Sequence, residues 1–136
     1  MKQDLKQGEK NKIGAYGESI ACRYLQKQGF TILSTNYLKP WGEIDLVSRG
    51  KDNLVHFVEV KTVSYDSRVR LEQSVSRATY RPEENVHPKK LQRLQRAIQS
   101  WLEEKHYDGE WQIDVAAVRV VPTERYATIR IIPNVH

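Results

Sequence analysis

Apolar residues recur at helical spacing from about Lys12 to Gln28, where Ile13, Ile20, Ala21, Tyr24 and Leu25 share a face and predict a first helix. Gly29 marks its end in the usual way. The pattern then changes period. Residues 30–37 (FTILSTNY) are rich in β-branched and aromatic side chains and read as a strand. Pro40 and Gly42 bracket a turn, and residues 43–48 (EIDLVS) form a second short strand. Gly50, Asp52 and Asn53 supply a hairpin turn before residues 54–62 (LVHFVEVKT), a strand apolar enough to lie centrally in a sheet. Residues 64–86 show no clear period and read as a long loop. Pro88 opens a helix running to about Lys105. Leu91, Leu94, Ile98, Trp101 and Leu102 line one face of it, and Lys89, Lys90, Arg93 and Arg96 fall largely elsewhere. Residues 111–121 and 126–132 read as two more strands, joined by a turn at 122–125.

The expected order is therefore α-β-β-β-α-β-β. Short turns make the first three strands an antiparallel meander, and a helical crossover lets the fourth pair in parallel. The fold class is α/β: a mixed sheet of about five strands with a helix on each face. At 136 residues the chain fits a single domain, taken as 12–136, behind a flexible basic tail at 1–11.

Composition narrows the setting. Cys22 is the only cysteine, so no internal disulfide forms, and no Cys/His group has zinc-ligand spacing. The first residues, MKQDLKQGEKNK, contain no apolar stretch of the signal-peptide kind. No run approaches the roughly 18 apolar residues of a membrane span. A cytoplasmic protein without a membrane partner is expected. The 22 Lys and Arg exceed the 17 Asp and Glu, a net charge of +5. The excess is concentrated between Arg68 and Arg96, where Arg68, Arg70, Arg77, Arg81, Lys89, Lys90, Arg93 and Arg96 face only Glu72, Glu83 and Glu84. A solvated loop and helix surface explains such a run by itself. Beside a phosphate-processing site it becomes a nucleic-acid surface, with Arg68, Arg70, Lys89, Lys90 and Arg93 as the contact candidates.

Such a site is written into the two central strands. Side chains alternate across a strand, so Glu43 and Asp45 share one face of the second strand and Glu59 and Lys61 one face of the third. An exposed cross-strand salt-bridge ladder is the plain alternative. Against it, Glu59 belongs to the most apolar strand, and Asp45 is flanked by Ile44, Leu46 and Val47. Carboxylates gathered where water is scarce repel one another, and a bound cation relieves that repulsion. Oxygen donors without His or Cys suit Mg²⁺ or Mn²⁺ rather than zinc. A lysine two residues beyond a ligand can help deprotonate a metal-bound water or neutralise charge on a phosphate. Glu18 lies at the edge of the first helix's apolar stripe. It is either an ordinary surface glutamate or a further acid offered to the metal, with Gly14 and Gly17 permitting close backbone approach.

GAYGE (14–18), GEIDL (42–46), FVEVK (57–61), the Lys90 helix and IDV (113–115) together resemble the bacterial YraN family, in order from about Lys12 to the C-terminus. That family is similar in pattern to archaeal Holliday-junction resolvases and to the restriction-endonuclease-like superfamily. The resemblance implies a PD-(D/E)xK core and Mg²⁺-dependent cleavage of DNA, with branched DNA as one candidate substrate. It matches Glu18 to the helical acid, Asp45 to the metal-binding aspartate, and Glu59 and Lys61 to the E-x-K pair. Junction cleavage needs two sites, so a homodimer is expected under that reading. The chain departs from the family pattern at Val63 and Gln112, where arginine is usual, and in the longer 64–86 connection, whose arginines can substitute.

Several residues have simpler readings. Asp114 caps or pairs locally, or else supports the site from behind. Trp101 is core. Trp41 packs or stacks on a base. His56 faces away from Glu59 and is structural, and Gln92 could reach the cleft. Three functions compete: a Mg²⁺-dependent endonuclease, a non-catalytic nucleic-acid binder on the same fold, and a protein-interaction module docking through the 64–86 loop.

Overall fold

The computed structural model describes residues 6–77 and 87–135. Helix α1 (Gln7–Lys27) is followed by β1 (Thr31–Lys39), β2 (Gly42–Arg49) and β3 (Val55–Ser64). Next come α2 (Arg68–Arg77), α3 (Pro88–Glu104), β4 (Trp111–Val121), a 3₁₀ turn (Pro122–Glu124) and β5 (Tyr126–Ile132). Among the described residues the strands form one five-stranded sheet in the order β1-β2-β3-β4-β5. The pairings are antiparallel except β3 with β4, which is parallel. This is the mixed α/β sheet that the alternation of periods predicts.

Two expectations fail. The 1–11 segment is not wholly a flexible tail, because α1 begins at Gln7. Gln7 Nε2 donates to Asn11 Oδ1 at 3.0 Å, an i,i+4 pair that carries the helix past the last apolar residue. The long loop of 64–86 is also broken: β3 runs to Ser64, and residues 68–77 form α2. Among the described residues, Leu71 and Val75 are the apolar side chains that pack α2 against Val63, Tyr65, Val121 and Tyr126. With the third apolar residue, Val69, left exposed, two packed apolar residues are too few to show a period. The remainder of that connection, 78–86, lies outside the described residues.

The sheet has a core on each face. On one, α3 lays Leu94, Ala97, Ile98 and Trp101 over Ile44, Val47, Val55 and Phe57. Trp101 is core as expected, edge-on to Phe57 at 5.3 Å between ring centroids. On the other face, α1 covers Leu46, Val58, Ala116, Val118 and Val120 with Ala21 and Leu25. No helix of the described residues is long and apolar enough to cross a membrane.

Candidate metal and phosphate site

The site forms where β2 leaves β3. Their ladder runs from Arg49↔Val55 to Leu46↔Val58 and stops there. Beyond it the backbone N–H of Val60 is taken by the Asp45 carboxylate, which accepts it at 2.8 Å. Asp45 thus fills the place a strand carbonyl would occupy and is held at the mouth of the fork.

Glu59 lies directly inside, only 1% exposed. An exposed salt-bridge ladder is excluded by that burial. Charge left alone in such a place is costly, by several kcal/mol per ion. Burial, then the neighbouring Asp45 charge, pushes the Glu59 carboxyl up to about 7 despite the opposing pull of Lys90. Lys61 follows on the same strand face, half-buried.

Glu18 arrives from the opposite side. Helix α1 packs tightly on the end of β3 at Gly17, where an added Cβ would lie 1.9 Å from Thr62 Oγ1. That contact sets the next residue beside Asp45. Burial, the Asp45 charge and a hydrogen bond with Asp45 raise the Glu18 carboxyl to about 7, with Glu43 adding to the effect. Gly17 therefore does what was expected of it. Gly14 does not, since a Cβ there would meet nothing within 4 Å. Glu18 also lines a cleft of about 300 Å³ with Ser19, Cys22, Arg23, Thr35 and Asn36.

Lys90 is placed differently from the sequence expectation. It is not among the outward basic residues of α3 but ion-paired with Glu59. Burial by itself would lower its ammonium; the hydrogen bond and charge of Glu59, joined by Asp45 and Glu43, hold it above the ordinary lysine range. A signal for this was present. Lys90, Leu94, Ile98 and Trp101 are spaced i, i+4, i+8 and i+11, so Lys90 heads the buried stripe. Gly42 lets the helix close on β2: a Cβ there would lie 1.9 Å from the Arg93 carbonyl oxygen.

The other basic candidates divide. Lys89 and Arg93 stand exposed on α3. Arg68, on α2, turns to Glu72 at 2.9 Å and lies 4.2 Å from the Tyr126 ring centroid, and Arg70 is exposed on the same helix. Trp41 is tied to α3, donating Nε1–H to Ser100 Oγ at 2.8 Å. Gln92 is exposed. Asp114 pairs in register with Val58 and shares its face, opposite Glu59, and meets His56 Nδ1 at 2.7 Å. It does not stand behind the carboxylates.

The donor set is three carboxylates, Glu18, Asp45 and Glu59, drawn from a helix and two strands. Among the described residues no group of three His, Cys, Asp or Glu side chains has the geometry to hold a metal ion as it stands. What the site has is crowded acid, partly neutralised by Lys90.

The family described as "Uncharacterised protein family UPF0102" matches residues 17–118, a span holding Glu18, Asp45, Glu59, Lys61 and Lys90. A UPF0102 protein of Beutenbergia cavernae is 43% identical over 110 residues, covering 80% of this chain and 83% of its own. One from Corynebacterium efficiens is 35% identical over 116 residues, covering 85% and 84%. One from Campylobacter jejuni is 32% identical over 106 residues, covering 78% and 82%. These matches agree with the YraN resemblance carried by the motifs.

Proposed function

The chain belongs to the UPF0102 family, and from that premise we propose that it is a Mg²⁺- or Mn²⁺-dependent endonuclease hydrolysing phosphodiester bonds in DNA. One observation carries the reading: Asp45 and Glu59 meet at the open fork of two strands, with Glu18 beside Asp45 and Lys61 next along the strand. An all-carboxylate donor set without His or Cys suits a hard cation better than zinc.

Asp45 and Glu59 would hold the metal, and Glu18 would hold the same ion or one of its waters. When bound, such a cation supplies a water of lowered pKa and neutralises a phosphate oxygen. Lys61 would offer an ammonium to the charge that builds on the attacked phosphate or, as the neutral amine, take a proton from the attacking water. Lys89 and Arg93 on α3, with Arg68 and Arg70 on α2, offer charge to the backbone of the nucleic acid. Cleavage of a four-way junction would require two such sites, hence a homodimer.

The test is a panel of linear, flap and four-way DNA incubated with purified protein and Mg²⁺ or Mn²⁺. Cleavage should appear and should fall by roughly a hundredfold or more in Lys61→Ala, the scale of a lost transition-state donor. A panel left wholly uncut by the wild-type protein overturns the reading.

One observation favours a second reading. Glu59 already has a cation in Lys90, and no ligand group is assembled among the described residues. A non-catalytic nucleic-acid platform accounts for that as well. It predicts salt-sensitive DNA binding that is indifferent to Asp45→Asn.

A further inference from the structure

Glu59 is almost wholly buried, and its Oε1 is met by the Lys90 ammonium, whose side chain is half-exposed. We propose that Lys90 is an internal counter-ion competing with divalent metal for Glu59, so that the lysine must move aside before the site can load. The proposal rests on the metal-site reading above.

The geometry separates what is fixed from what can move. Helix α3 is seated by Leu94, Ile98 and Trp101 and by the close approach of Gly42 to the Arg93 carbonyl, one turn beyond Lys90. The backbone at Lys90 therefore stays in place. The four-carbon side chain does not have to, since its charged end can leave Glu59 for water without unpacking the helix. While it remains, one carboxylate oxygen of Glu59 faces an ammonium, and a second cation arriving there meets like charge at short range. A carboxylate cluster without such a lysine would repel itself whenever metal was absent. Lys90 thus steadies the metal-free fold and weakens metal binding by the same contact.

Mn²⁺ binding by calorimetry and thermal melting, in wild type, Lys90→Met, Lys90→Gln and Lys90→Arg, tests this. Circular dichroism checks folding, and Asp45→Asn serves as control. The neutral variants should melt below wild type without metal, bind Mn²⁺ roughly tenfold tighter, and gain more in melting temperature from it. Lys90→Arg keeps the charge and should bind no more tightly than wild type. Two neutral variants keep the test open if one fails to fold. Equal or weaker Mn²⁺ binding in the folded neutral variants overturns the role of Lys90, while loss of binding in Asp45→Asn would leave the metal site standing. No Mn²⁺ binding by any of the proteins overturns both.

Discussion

Strand β3 carries two buried ionisable groups of opposite design, three residues apart and on opposite faces. His56 meets Asp114, and Asp114 is satisfied completely: Oδ2 faces His56 Nδ1 at 2.7 Å, and Oδ1 accepts from Gln112 Nε2 at 2.8 Å and from the Asn134 backbone at 3.0 Å. Glu59 meets one flexible lysine and is crowded by another acid, with two more nearby. In the first arrangement both oxygens of the carboxylate are partnered. The second is held together against its own charge, which is how sites that bind a cation or perform chemistry differ from polar groups that lock a core.

This contrast can be broken most directly at Asp114. Asp114→Ala strips His56, Gln112 and Asn134 of a buried acceptor and should cost about 3 kcal/mol in urea unfolding. Mn²⁺ affinity of the folded fraction should be unchanged. A mild stability loss, or a loss of metal binding, would show that the two regions are not separate in role. A smaller effect is expected at Gly42, where an added methyl must push the Arg93 carbonyl away from β2. Gly42→Ala should cost about 2 kcal/mol by overpacking, and it should loosen Lys90 from Glu59. An unchanged melting temperature would mean that α3 shifts freely.

The smallest and sharpest effect is in pH. The Glu59 carboxyl titrates higher in the folded chain, about 7, than at its ordinary value of 4.5. A raised pKa means that the folded state holds the proton more tightly. Its contribution to stability is therefore complete below about 4.5 and is lost as pH rises through 7. Glu59→Gln, which cannot ionise, should match the metal-free wild type at pH 4.5 and exceed it by on the order of 1 kcal/mol at pH 8. A variant less stable than wild type at pH 8 would show that the Lys90 pair outweighs burial and repulsion.

Much of the fold was legible because each long element repeats its own period. Residues 111–121 and 126–132 were read to the residue, and the first three strands to within two. Helix α2 was not, because its described apolar packing rests on Leu71 and Val75. The candidate site was half legible. Asp45, Glu59 and Lys61 rested on alternation along two strands as well as on family resemblance, whereas Glu18 rested mainly on the resemblance. Lys90 was assigned to phosphate although its spacing with Leu94 and Ile98 puts it on the buried stripe.

The sequence by itself determined which side chains share a face of one helix or strand, because that depends only on backbone repeat. It also determined that acid gathers near the most apolar strand. Tertiary structure alone decided where the β2–β3 ladder stops, which lets Asp45 take the Val60 N–H. It decided too that two glycines bring α1 and α3 against the sheet from opposite faces, close enough to set Glu18 and Lys90 around one fork. Those choices depend on which faces oppose one another and how closely backbones approach, and neither is encoded in the period of any single element.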